Sequence, residues 1–149
     1  MDTQKAKRVL RSIRKIPHRR FVLHGSLVRS NTLVPNRPNL KTFTNRRKTK
    51  RIREKAVYGT LVVEVAVIYA TLPKDIQWKY VKEGRYFHVR YQGEEIGLYD
   101  GYIHVCRRTS FDCGVGILTS KRAVKVVRTI RVNADTLEYL WREKRVRIF

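Results

Sequence analysis

The chain has 149 residues, enough for one domain with or without a tail, and too few for two ordinary domains. Lys and Arg number 34 against 12 Asp and Glu, a formal net charge of +22, while an apolar fraction of 42% can still support a core. The sequence lacks a continuous apolar run long enough to span a membrane and a secretory leader pattern, and two cysteines cannot staple a disulfide scaffold; a reducing, intracellular setting is expected.

The charge is concentrated at the start. Residues 1–55 hold 18 Lys/Arg and two acids, Asp2 and Glu54, with two of the fifteen aromatics (Phe21 and Phe43) and three of the four prolines. So few bulky apolar groups cannot offset a backbone entropy of about 1–2 kcal/mol per residue. Residues 1–55 therefore read as a basic, largely flexible N-terminal arm, and residues 56–149 as a β-rich globular domain. Within the arm, Val9, Ile13 and Ile16, joined by Leu10, recur at helical spacing, which predicts a helix over residues 4–16, started by Thr3 and ended by Pro17. Lys5, Lys7, Arg8, Arg11, Arg14 and Lys15 cover the rest of that cylinder. Residues 31–40, with Pro35 and Pro38, read as an extended linker. Residues 45–55 form the densest cluster, seven cations in eleven positions.

Residues 60–70 alternate, with Leu61, Val63, Val65, Val67 and Tyr69 on one face, and read as a central strand closed by Pro73. A short strand or a turn is expected around residues 77–81. Residues 85–107 read as a three-stranded meander, turning at residues 92–95 and again at Asp100-Gly101, a strong hairpin signal. Residues 117–119 suggest a short strand and 123–132 a longer one, with Val124, Val126, Ile130 and Val132 inward. Asp135 with Glu138 resembles a capping box that opens a C-terminal helix, and residues 146–149 suit an edge strand. The expected fold is thus mainly β (α+β): a small antiparallel sheet, sandwich or barrel with one C-terminal helix, preceded by the arm.

The residue types point to polyanions. Each Lys or Arg that neutralises a phosphate releases counterions, and the guanidinium fork grips phosphate bidentately and stacks on bases. The arm supplies Arg8, Arg11, Arg14, Lys15, Arg19, Arg20, Arg46, Arg47, Lys48, Lys50, Arg51 and Arg53. On the meander, Tyr86, His88 and Arg90 would share a face with Tyr102 and His104, an aromatic and cationic surface of the kind that holds single strands. The same tyrosines would also suit a core edge or a subunit interface. The expected activity is sequence-tolerant binding of RNA or single-stranded DNA, with self-association into a homo-oligomer as a further expectation. Residues 46–53 also match a basic import signal, which in a eukaryotic host would engage an import receptor and place the protein in the nucleus as well as the cytoplasm.

Other classes draw less from the sequence. His104-Val105-Cys106, Cys113 and His88 offer zinc-type donors without a paired ligand spacing, and His88 or His104 with Asp100, Asp112, Glu94 or Glu95 gives no enforced acid/base pair. No catalytic residue, metal ligand or cofactor is assigned. A basic arm before a β domain is similar in architecture to small viral coat, movement and silencing-suppressor proteins, a likeness of layout with no shared motif. The alternatives are a ribosomal or other structural ribonucleoprotein component and a nucleic-acid-processing enzyme.

Overall fold

The computed structural model describes residues 2–36, 55–73, 78–91, 98–113 and 118–148. In chain order the elements are α1 (Thr3–Arg14), β1 (Phe21–Ser26), β2 (Thr32–Leu33), β3 (Val57–Gly59), α2 (Val63–Thr71), β4 (Trp78–Glu83) and β5 (Tyr86–Tyr91). They continue with β6 (Gly101–Arg107), a 3-10 turn at Arg108–Ser110, β7 (Asp112–Cys113), β8 (Leu118–Ser120), β9 (Val124–Val132), α3 (Ala134–Arg142) and β10 (Val146–Ile148). The protein is mainly β with a C-terminal helix, as the sequence implies.

Among the described residues three sheets form the frame: β1-β6-β9-β2, β10-β5-β4 and β3-β8-β7. All pairings are antiparallel except β10 on β5, which is parallel. Single bridges, Leu23 with Thr60 and Asn36 with Ala56, tie both edge strands of the four-stranded sheet to the segment carrying β3. The sheet therefore curls, with one core on each face. The first holds Leu10 and Ile13 of α1, Ala66, Ile68 and Ala70 of α2, Ile103, Val105, Ile130 and Val132 of the sheet, and Leu137 and Leu140 of α3. The second holds Val22, Leu33, Val57, Cys106, Phe111, Leu118 and Val124.

A bulge in β9 explains how one strand serves both cores. Val105 pairs with Arg128 but Cys106 pairs with Val126, so Val127 is extra. The insertion changes the phase: Val124 and Val126 join the second core, and Ile130 and Val132, opposite Ile103 and Gly101, join the first. The four residues expected inward do point inward, but to opposite faces of the sheet.

Three expectations are corrected. First, residues 2–36 are not a flexible arm. Ala6, Leu10 and Ile13 of α1 are at most 1% exposed, and β1 forms all six of its register pairs with β6. The expected helix is present, capped by the Asp2 side chain, which accepts from the Lys5 N–H at 3.0 Å, and not by Thr3. A short stripe of small and branched residues is enough to dock a cationic helix when a partner surface exists. Residues 46–53 lie outside the described residues. Their flanks, Asn36 and Ala56, exchange backbone hydrogen bonds of 3.1 and 3.0 Å, so this stretch is inserted between β2 and β3.

Second, residues 60–70 are not a strand: α2 covers Val63–Thr71. With nearly every position apolar, alternation carries no information, because a helix buried all round looks the same. Third, the meander over residues 85–107 does not form. The hairpin joins β4 to β5 through Gly84 and Arg85, and β6 pairs with β1 and β9. Asp100-Gly101 leads into β6 without a β5 partner across it. In addition, α3 is capped by Asn133, which accepts from Thr136 N–H at 3.2 Å. Asp135 instead accepts from the backbone N–H of Asp2 at 3.1 Å, and Arg14 meets Glu143 at 3.5 Å. These two contacts, one at each end, lay α1 and α3 side by side and parallel.

Candidate nucleic-acid interface

The outer face of α1 is the strongest concentration of cations among the described residues. Its 3.6-residue period puts Ala6, Leu10 and Ile13 inward and divides the rest into two flanks. Lys5, Arg8 and Ser12 turn toward β9, while Lys7, Arg11 and Arg14 turn toward α3, with Lys15 at the helix end. All six cations of the helix region are exposed. Because the buried stripe is fixed by core packing, the charges stand on a rigid support, so binding would not have to offset the entropy of forming the helix.

A shallow cleft runs along each flank. On the α3 side, Lys7, Arg11, Arg14 and Lys15 surround Tyr139. This side is partly neutralised, since Arg14 pairs with Glu143. On the β9 side, Lys5 and Arg8 face Arg128 and Arg131, with Val9, Ser12, Thr129 and Ile130 completing the lining. Asp100, outside that lining, holds Arg131 at 2.9 Å.

The structure distributes the sequence-derived candidates unevenly. Arg8, Arg11, Arg14 and Lys15 converge on α1. Arg19 and Arg20 follow in the exposed turn after it. Arg46, Arg47, Lys48, Lys50, Arg51 and Arg53 lie outside the described residues. Tyr86 and Arg90 on β5 and Tyr102 on β6 do not share a face, because β5 and β6 belong to different sheets. Arg90 is paired with Glu83 at 3.5 Å, which also meets His88 Nδ1 at 3.2 Å. Tyr102 is half-buried next to His104, with ring centroids 6.4 Å apart. The expected aromatic platform is therefore replaced by two separate features.

His104 has a structural place. Its Nδ1–H donates to the His24 carbonyl at 3.2 Å, and its Nε2 accepts from the Ser30 N–H at 3.0 Å. The acceptor role of Nε2 requires the neutral ring, and burial lowers its pKa below the usual histidine value. His24 donates from Nδ1 to the Tyr58 carbonyl at 2.7 Å. Among the described residues no group of three His, Cys, Asp or Glu side chains could hold a metal, and no helix is long and apolar enough to cross a membrane.

Arg128, Arg131 and Tyr139 are not among the candidate binding residues named from the sequence above. Arg128 and Arg131 carry a local signal as charged residues on a long strand, but their approach to Lys5 and Arg8 spans more than 110 positions of chain and depends on the tertiary fold. No protein-family model, curated protein or solved structure matches this chain.

Proposed function

We propose that this protein binds nucleic acid with little regard to sequence, with RNA or single-stranded DNA as the target. The observation that supports this reading is the outer face of α1, where five exposed cations of the helix and Lys15 at its end stand together and Arg14 is paired with Glu143. Such a surface costs self-repulsion in the free protein, and a polyanion relieves it. Among the described residues no base-reading constellation accompanies it, so affinity would come from phosphate contacts, which position without specifying. The cations of residues 46–53 extend the same chemistry, and the import-signal reading of those residues is compatible with it.

The test is a salt titration of binding to a labelled 12-residue oligouridylate. At about −0.7 in log K per contact on a single strand, six contacts give a slope of about −4. Replacing the six α1-region cations by Gln is expected to remove more than half of the observed slope. An unchanged slope would place the interface elsewhere, and absence of binding at low salt by the unaltered protein would refute the reading.

A further inference from the structure

The two flanks of α1 differ in a way that points to a particular ligand. In the cleft on the β9 side, of ≈ 460 Å³, cations come from two unrelated elements: Lys5 and Arg8 on one, Arg128 and Arg131 on the other, with Arg131 paired to Asp100 at 2.9 Å outside the lining. No carboxylate is among its lining residues. Folding has brought Lys5, Arg8 and Arg128 to one gap, a repulsion that Asp100 relieves only at Arg131 and that an entering anion would relieve further.

Between these walls the floor combines Val9 and Ile130 with the hydroxyl side chains of Ser12 and Thr129. Val9 is half-buried and Ile130 is 9% exposed. A bare phosphate or sulfate has no use for such a floor. A nucleotide uses both parts, with its charge on the walls and the flat face of its base on the floor. A duplex, in contrast, stacks its base faces against each other and offers phosphates and groove edges, leaving the floor unused. The β9 wall also keeps α1 from entering a major groove with both flanks free.

We propose that the α1–β9 cleft seats a nucleotide of a single-stranded nucleic acid, with phosphates between the cationic walls and a base laid on Val9 and Ile130. This rests on the nucleic-acid reading above and adds to it the site and the strand class.

The test uses the full chain and fluorescence anisotropy with a labelled 12-residue oligouridylate, the same strand in a duplex with oligoadenylate, and uridine monophosphate as competitor. Arg128→Gln and Arg85→Gln remove one charge each, the latter at the exposed β4–β5 turn, away from the cleft. Arg128→Gln is expected to weaken single-strand binding on the order of tenfold at about 0.1 M salt and to reduce the salt slope by about 0.7. Arg85→Gln should change affinity less than twofold. Val9→Ser should weaken single-strand binding severalfold while leaving duplex binding and the salt slope in place, because it removes floor and no charge. Amide resonances of Val9, Ser12, Thr129 and Ile130 should shift when a trinucleotide is added.

If the oligonucleotide binds but Arg128→Gln behaves like Arg85→Gln, the cleft assignment is wrong and the broader reading survives. Equal binding of duplex and single strand, or displacement by the monophosphate at the concentration of the oligomer, overturns the strand class. No binding of any nucleic acid overturns both. Circular dichroism on each variant separates loss of fold from loss of binding, and the exposed Arg128 provides the variant least coupled to stability.

Discussion

Gly101, the first residue of β6, lies against the backbone carbonyl of Ala70 so closely that a Cβ at that position would overlap the carbonyl oxygen. Gly25 on β1 has the same relation to the Ala66 carbonyl one helical turn earlier. Two glycines on neighbouring strands and two alanines at i and i+4 thus let α2 rest directly on the curled sheet. Neither glycine has a positive φ, so the requirement is space and not conformation.

Gly101→Ala is therefore expected to destabilise strongly. Overpacking costs typically about 1–3 kcal/mol, and an obstacle made of backbone puts this site at the upper end or beyond. Gly84 supplies the contrast: its φ is 60° in the β4–β5 turn, and a Cβ there would meet nothing within 4 Å. Gly84→Ala should cost only the left-handed backbone penalty, about 1–2 kcal/mol. Urea unfolding midpoints of the two variants, with unchanged m-values, measure the difference, and equal losses would contradict the close approach.

The fragment comprising residues 56–149 should fail to fold. It lacks β1, the full-length partner of β6, and the α1 side chains Leu10 and Ile13, which are 0% and 1% exposed. Removing whole elements from a shared core exceeds the stability reserve of about 5–15 kcal/mol of an ordinary domain. In the intact chain, Leu10→Ala alone should cost about 2–5 kcal/mol. A cooperative thermal transition from the isolated fragment would show that the N-terminal residues are dispensable to the fold.

The errors in reading the sequence have specific physical sources. In α1, the residues that dock the helix are few and one is alanine, so the six cations around them dominate any compositional measure and suggest solvation. In α2, a run that is apolar at nearly every position contains both a helix and a strand pattern, and only the approach of Gly25 and Gly101 shows which surface needs covering. In β9, the alternation was legible, but the extra Val127 that sends Val124 and Ile130 to opposite cores was not. The C-terminal helix, the strands near Trp78 and Leu118, and the terminal edge strand were readable because each follows from local pattern and flanking turn residues. The cleft of Arg8 and Arg128 could not be found this way, since nothing local to either residue refers to the other.

The two cysteines should differ sharply in reactivity. Cys106 lies in the second core at 0% exposure, and burial pushes its thiol up to about 11. Little thiolate would form at pH 8, and reagent access would require opening of the core. Cys113 on β7 is exposed. Titration of the native protein with a thiol reagent at pH 8 should show one fast equivalent, lost in Cys113→Ser, and a second only on unfolding. Two fast equivalents would mean that the second core opens readily.

His104 should make stability fall in mild acid. Burial is the largest influence on its pKa and lowers it; the hydrogen bond to the His24 carbonyl opposes, and the charge of Arg29 adds a smaller lowering. The native state thus binds this proton less readily than the unfolded chain, whose histidine titrates near about 6.5. By linkage, the contribution of the neutral ring is complete above that pH and declines as pH falls through and below it. Protonation would also turn Nε2 into a donor facing the Ser30 N–H, which it now accepts at 3.0 Å. The melting temperature should therefore hold between about pH 8 and 7 and drop toward pH 5. His104→Asn should be less stable throughout but flatter over that interval. If the His104→Asn curve runs parallel to that of the unaltered protein, the acid sensitivity belongs to other groups.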